Sequence, residues 1–230
     1  MELTRFGIWR EGVRCLLYDP DIPGDLLSLW TNPTPGKTLP GSLKRGSVIS
    51  IEAGGKEYVH RHYFRGGYPS RLIRDRYLWL GFKRTRPWRE FVLLEKMKRN
   101  GLPVPTPALA CVDRTHCSYT ADLVTIRLPG PSLAQCMDAH VAIDWPAIGR
   151  TIRRFHDQGI DHRDLNSHNI VLANEKEVYL LDFDRAREHR ARGIWTQRNL
   201  SRLKRSLSKR GKGLGLECFW GRFMEGYRSG

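Results

Sequence analysis

The sequence predicts an α+β protein of two lobes, a small β-rich one followed by a helical one. Three observations carry this reading. Strand-like apolar runs and hairpin turns concentrate before residue 127. Leu128-Pro129-Gly130-Pro131-Ser132-Leu133 then reads as a hinge. Beyond it helical periodicity dominates, with one short apolar hairpin embedded. The implied organisation is an irregular N-terminal cap over residues 1–40, a β-rich lobe over 41–127, and a helical lobe over 128–230 with a basic C-terminal segment.

Each element has a local reason. Residues 1–40 hold short apolar clusters broken by Pro20, Pro23, Pro33, Pro35 and Pro40, which predicts at most one short helix. Ser47 to Glu52 and Glu57 to Tyr63 are strand-like runs around the turn Ala53-Gly54-Gly55-Lys56. Trp88 to Met97 places Phe91, Leu94 and Met97 on one helical face, and Asn100-Gly101 supplies a C-cap. Prolines 103, 105 and 107 stiffen the connector that follows. Cys111 to Asp113 and Ala121 to Ile126 suit a second hairpin, and Ser132 suits a helix N-cap. Ala147 to Asp157 is amphipathic and stops at Gly159. Ile170 to Leu172 and Val178 to Leu181 form the embedded hairpin, around Asn174 to Glu177. Further on, Leu200, Leu203 and Leu207 share a helical face, more consistent with core packing than with membrane insertion.

Composition narrows the partners. With 40% hydrophobic and 27% charged residues, the 230-residue chain reads as a soluble globular protein. No apolar run approaches the roughly 18 residues of a membrane span, and the charged start from Met1 to Tyr18 lacks a signal-peptide stretch. Five cysteines without metal-ligand spacing predict reduced thiols. The net charge of +15 is uneven. Between Arg185 and Lys212 lie eleven Lys or Arg and one acid, Glu188; between Arg71 and Arg89 lie seven and one, Asp75. Such clusters call for a polyanion: nucleic acid, an anionic membrane, or a phosphorylated or carboxylated substrate.

The chemistry is concentrated in His162-Arg163-Asp164-Leu165-Asn166-Ser167-His168-Asn169, followed by Leu180-Leu181-Asp182-Phe183-Asp184. These match H-R-D-L-x-x-x-N and a strand ending in D-F-x, the catalytic half of a protein-kinase-like site. Phosphoryl transfer needs a group that orients the attacking hydroxyl, and an amide and carboxylate for Mg²⁺ on ATP. Asp164, Asn169 and Asp182 fill those roles in that order. Val59 and Arg61 share a strand face like the Ala and Lys of V-A-I-K, so Arg61 would contact ATP phosphates and pair with Glu90; an exposed strand arginine is the other reading. Gly41 and Gly46 bound a degenerate glycine-rich loop, with Lys44 or Arg45 adding charge. Asp184 replaces the Gly of D-F-G and no A-P-E follows, which argues against control by activation-loop phosphorylation. Arg163 reads as structural, and His156, His162 and His168 as hydrogen-bonded positions rather than a metal cluster. Pro35-Gly36-Lys37-Thr38 mimics a P-loop tail, but Thr31 stands where the first Gly is required, so it reads as a linker.

Taken with His60-Arg61-His62-Tyr63-Phe64-Arg65-Gly66-Gly67, Arg89 to Leu94 and Gly101 to Pro107, these motifs make the chain resemble the bacterial lipopolysaccharide-kinase family, in its 3-deoxy-D-manno-octulosonic acid (Kdo) branch, over roughly residues 40 to 210. The resemblance implies a bilobal kinase-like fold and an ATP- and Mg²⁺-dependent enzyme. Its acceptor would be the 4-hydroxyl of Kdo on a lipid A precursor, at the cytoplasmic face of a Gram-negative inner membrane. The basic segments then have a reason: Arg65, Arg71, Arg74 and Arg185 suit an anionic acceptor, while Tyr77, Trp79 and Trp88 suit the headgroup level. Neither a nucleic acid nor an obligate protein partner is expected. The alternatives are a heptose kinase or another small-molecule or protein kinase of this fold, or a non-catalytic pseudokinase or nucleic-acid-binding module.

Overall fold

The computed structural model describes residues 5–32, 48–64, 75–173, 177–210 and 216–230. The chain divides into two compact units. The first comprises Met1–Lys96 and Thr106–Arg127, the second Met97–Pro105 and Leu128–Gly230.

In the first unit, β1 (Gly7–Glu11), β2 (Arg14–Tyr18), β3 (Val48–Ala53), β4 (Lys56–His62), β5 (Tyr77–Leu78), β6 (Pro107–Thr115) and β7 (Ser118–Ile126) form one sheet. Its order is β1-β2-β6-β7-β4-β3, with β5 also on β7, and every pairing is antiparallel. Tyr58 and His60 point to one face of β4 and are buried, while Val59 and Arg61 point to the other. The helix α1 (Gly24–Thr31) covers the first face with Leu26 and Trp30, which join Leu16, Ile51, Tyr58, Leu109 and Val124 in the core. The helix α2 (Arg86–Arg99) begins in this unit and buries Phe91 against Phe6, ring centroids 5.2 Å apart.

One expectation is corrected here. Residues 5–32, the described part of the expected irregular cap, are regular: β1 and β2 extend the sheet at β6, and α1 follows. Opposite Asp113 in that pairing, Arg14 makes a two-pronged bridge, Nε to Oδ1 at 2.6 Å and Nη2 to Oδ2 at 2.7 Å, and donates Nη1 to the Trp30 carbonyl at 2.9 Å. Cys15-Leu16-Leu17 is a continuous rather than alternating apolar run because β2 is an interior strand. The prolines that suggested irregularity all lie beyond it.

The second unit holds α3 (Leu133–Asp138), α4 (Trp145–Asp157), β8 (Ile160–Asp161), β9 (Ile170–Ala173), β10 (Glu177–Leu180), β11 (Arg187–Glu188), α5 (Ile194–Arg210) and α6 (Leu216–Ser229). Strands β9 and β10 form the embedded hairpin, and β8 pairs with β11. Ser132 and Gln135 cap α3 reciprocally. At the end of α2, Leu102 N–H donates to Met97 O and Gly101 N–H to Lys98 O, with Gly101 at φ +74°, the left-handed stop that glycine permits. Backbones of α4 and α6 approach so closely that a Cβ at Gly149 would collide with the Phe223 carbonyl. In α5 the residues Trp195, Asn199, Leu203 and Leu207 are buried, a stripe with four-residue spacing, and the arginines between them face solvent.

Candidate active site

The loop between β8 and β9 carries His162 through Asn169, and α5 runs beside it as a scaffold. Asn199, although it sits in the basic run, is buried. It accepts the backbone N–H of His162 on Oδ1 at 3.0 Å and donates Nδ2 to Asp161 Oδ1 at 2.7 Å. One turn on, Arg202 reaches Asp164 Oδ1 at 3.4 Å. Ser206 Oγ accepts the Ser167 N–H at 3.1 Å and lies 3.0 Å from its hydroxyl. Arg210 bonds His168 Nε2 at 2.7 Å and pairs with Asp138. Positions 199, 202, 206 and 210 lie three or four residues apart on one side of the helix, so a single rigid element holds the loop at four points. None of these four was singled out from the sequence. Their shared spacing is visible there, but their target in the loop is not.

Asn169 donates Nδ2 to the Asp164 carbonyl at 3.0 Å, as does Asn166 at 2.8 Å. The backbone at Asp164 is thereby fixed, and the amide oxygen of Asn169 is the end turned away from that bond. The Asn169 carbonyl accepts Leu181 N–H at 2.9 Å, which brings the end of β10, and so Asp182, beside the loop. Asp182 has φ +62°, a left-handed conformation that L residues adopt at a cost of roughly 1–2 kcal/mol and that Asp tolerates better than most. Phe183 is buried, 4.7 Å from the His162 ring and 5.8 Å from Phe155 between centroids, and His162 Nε2 donates to the Leu181 carbonyl at 2.7 Å. This packing anchors the turn that presents Asp182. An amide oxygen and a carboxylate are hard donors that suit Mg²⁺ better than a soft metal.

In the first unit Arg61 pairs with the buried carboxylate of Glu90, and the Tyr63 hydroxyl donates to the same oxygen at 2.5 Å. Burial and the Glu90 charge hold the Tyr63 hydroxyl protonated, its pKa well above the ordinary value. Val59 pairs with Ser50 and Thr125 and is half-buried on the Arg61 face. Gly41 and Gly46 of the glycine-rich loop, with Lys44 and Arg45, lie outside the described residues, as do Arg65, Arg71, Arg74 and the linker Pro35 to Thr38.

Several sequence readings change. Tyr77 and Trp88 are core residues, not headgroup anchors: Tyr77 lies 5.5 Å from the Tyr119 ring and Trp88 packs on Phe82 at 4.7 Å. Trp79 is half-buried between the exposed Leu78 and Leu80. Arg163 is not structural. Its side chain is exposed and lines a cavity of about 610 Å³ together with Arg185, Arg198, Arg202 and Arg205. The three histidines each have a local partner; His156 Nδ1, for one, meets the Tyr227 hydroxyl at 2.7 Å. Leu203 and Leu207 are buried, whereas Leu200 is only half-buried because the inward stripe runs through Asn199.

A half-exposed aspartate on a fixed loop, an amide and a carboxylate that suit a cation, and a basic cavity are the parts that a kinase-type phosphotransferase acting on a hydroxyl group requires. Comparison with known proteins narrows the class. A model of the lipopolysaccharide kinase (Kdo/WaaP) family matches residues 31–227, and the chain belongs to that family. It is similar to a 3-deoxy-D-manno-octulosonic acid kinase of Xylella fastidiosa (strain M23), 46% identical over 167 residues, covering 72% of this chain and 67% of the relative. A protein of the same name from Xanthomonas axonopodis pv. citri (strain 306) is 43% identical over 169 residues, with 72% and 67% covered. Another from Stenotrophomonas maltophilia (strain K279a) is 41% identical over 171 residues, with 74% and 69% covered. Kinase chemistry in this family implies ATP as phosphoryl donor.

Proposed function

We propose that the protein is a Kdo kinase that uses ATP and Mg²⁺ to phosphorylate the 4-hydroxyl of Kdo on a Kdo–lipid A precursor in inner-core lipopolysaccharide assembly. The observation that carries this reading is the fixed catalytic loop, in which Asn169 and Asn166 converge on the Asp164 carbonyl and leave the Asp164 side chain half-exposed. The relatives named for the same sugar support the choice of acceptor.

Asp164 would hydrogen-bond the sugar hydroxyl, aim its oxygen at the phosphorus and accept the proton late, since an alcohol is too weak an acid to ionise beforehand. Asn169 and Asp182 would hold Mg²⁺. When bound, that ion supplies positive charge to the phosphate oxygens of the nucleotide. Arg61, pinned by Glu90, is the first unit's candidate for a phosphate contact; Val59 on the same face, with Gly41 and Gly46 of the loop outside the described residues, would serve the nucleotide. Arg65, Arg71, Arg74 and Arg185 would serve the anionic acceptor.

A peripheral association with the cytoplasmic face of the inner membrane accompanies this reading. No helix among the described residues is long and apolar enough to cross a bilayer. Leu78 and Leu80 are 61% and 59% exposed, with the exposed cations Arg76, Lys83 and Arg84 near them in the chain, a combination suited to an anionic headgroup layer.

The direct test is mass spectrometry of a Kdo–lipid A precursor incubated with the protein, ATP and Mg²⁺. A gain of one phosphate on Kdo is expected, and Asp164→Ala should lower the rate by roughly 10²–10⁴-fold with little change in melting temperature, because Asp164 makes only a loose, half-exposed ion pair. Native protein that transfers nothing, or an Asp164→Ala variant as active as native, would end this reading.

A further inference from the structure

Five arginines share one cavity of the second unit, about 610 Å³ in volume. Arg163 comes from the catalytic loop, Arg185 from the turn after Asp182, and Arg198, Arg202 and Arg205 from the outer side of α5. Asp161, the acid in the lining, offsets one of the five charges and forms no salt bridge with any of these arginines. Its Oδ1 is taken by Asn199 at 2.7 Å and by the Arg163 backbone N–H at 3.3 Å, and its Oδ2 faces His189 Nε2 at 3.5 Å. Arg163, Arg185 and Arg198 have no ion-pair partner among the described residues. Arg205 turns Nε to the Ser201 carbonyl at 3.3 Å, and Arg202 holds Asp164 at 3.4 Å with both side chains about half exposed.

Like charges gathered in one concavity repel one another and focus a positive potential, an arrangement that is relieved when an anion enters. We infer that this cavity is the subsite for the oxyanion groups of the acceptor, and that Arg202 joins it to Asp164. The inference deepens the kinase reading and rests on it. Guanidinium forks match carboxylate and phosphate oxygens two at a time. The volume exceeds what a single phosphate needs and suits a sugar-sized group. Arg202 stands with one side toward the cavity and the other toward Asp164, so an oxyanion bound there sets its sugar beside the group that orients the hydroxyl. The loose Arg202–Asp164 pair is weakly held and yields to a better-placed oxyanion, which frees the Asp164 carboxylate for the hydroxyl. An RNA strand is the less fitting ligand, because no lining residue is aromatic and so none offers a base a stacking platform.

The test is calorimetric titration of the full chain with two probes: free Kdo, whose charged group is a carboxylate, and an N-acetylglucosamine disaccharide bisphosphate, whose charged groups are phosphates alone. Native protein is compared with Arg198→Gln and Arg205→Gln, both exposed positions, and with Lys209→Gln, an exposed residue of α5 outside the cavity lining. At least one probe should bind, about 10-fold more weakly in each cavity variant and unchanged in Lys209→Gln, since each lost guanidinium removes a charge-assisted bond. Loss for Kdo assigns the carboxylate; loss for the disaccharide assigns the phosphates. In turnover, the KM for acceptor should rise about 10-fold with kcat within about twofold. Probes that bind native and cavity variants equally, or neither probe binding, would overturn the subsite, as would cavity substitutions that weaken only an oligoribonucleotide. Native protein that shows the expected binding pattern but transfers no phosphate would keep the subsite and remove the kinase reading.

Discussion

Asn199 accepts the backbone N–H of His162 at 3.0 Å from within a helix otherwise crowded with arginines. Its amide also satisfies Asp161, so one buried side chain closes the two residues at the entrance to the catalytic loop. Removing it leaves a buried N–H and one oxygen of a buried carboxylate short of a partner, a loss of about 1–3 kcal/mol. Asn199→Leu should therefore lower the melting temperature by several degrees and reduce kcat more than the KM for ATP, because the loop shifts while the nucleotide contacts proposed for the first unit stay. Paired melting curves and steady-state kinetics check this. A variant with native kcat would show that the loop holds its shape without α5.

Acid stability should be governed largely by His156. Burial pushes its pKa down from about 6.5 to about 4, and it is almost fully enclosed. The unfolded chain takes up the proton below about pH 6.5, whereas the folded chain resists until about pH 4. The stability tied to the neutral imidazole is thus full above pH 6.5 and drains away as pH falls toward 4, by roughly 3 kcal/mol in all. His62 acts in the opposite direction. Burial disfavours its charge, but the hydrogen bonds and charges of Asp122 and Asp75 outweigh that and raise its pKa, so its contribution is full below the unfolded value and lost as pH rises through the raised one. Melting temperature should accordingly peak near neutrality. In His156→Gln the decline between pH 6.5 and 4.5 should be much shallower. Parallel acid limbs in the two proteins would assign the decline to other groups.

The Arg61–Glu90 pair separates two effects of one substitution. Glu90 is buried with the Arg61 guanidinium and the Tyr63 hydroxyl on the same oxygen. Deleting the Glu90 carboxylate takes a partner from the half-buried Arg61 guanidinium and from the buried Tyr63 hydroxyl, a loss of about 1–3 kcal/mol, so Glu90→Ala should lower the melting temperature. Arg61→Lys keeps the charge but loses the fork, and should raise the KM for ATP by about tenfold with a modest loss of stability. Kinetics of Arg61→Lys with ATP varied at saturating acceptor provide the check. An unchanged KM would leave Arg61 as a strut for α2 and remove it from the nucleotide.

The candidate loop could be placed from the sequence because its motif is local: Asp164, Asn169 and Asp182 lie within nineteen residues in a fixed order. The central hairpins and α2 to α4 were legible for the same reason, through turn residues, caps and periodicity. What could not be read depends on distant partners. Strands β1 and β2 are five residues each, and β2 owes its place to pairing with residues about a hundred positions away. The helix α6 was not singled out from the sequence; its Gly226 lies so near α4 that a Cβ there would collide with the Pro146 carbonyl. In α5 the dense charge concealed a polar residue buried among apolar neighbours. The sequence suggested a surface for polyanions, and the structure shows a helix that also fastens the loop.

Membrane recruitment should depend on both apolar and ionic contacts near β5. Period-2 alternation turns Tyr77 into the core and Leu78 outward, and Leu80 is exposed again two residues on. Insertion of each leucine to the level of the acyl boundary would contribute about 1–2 kcal/mol, given that some 40% of each is already covered. Arg76, Lys83 and Arg84 add on the order of 1 kcal/mol each at an anionic surface, a share that salt screens within about 10 Å at 0.1 M. Sedimentation with vesicles containing about one third phosphatidylglycerol should therefore show two separable losses. Leu78→Ser/Leu80→Ser should bind at least tenfold more weakly at every salt concentration, whereas native protein should detach progressively as salt rises. Native-like binding by the double variant would move the contact elsewhere on the surface, and salt-independent binding would remove the electrostatic part.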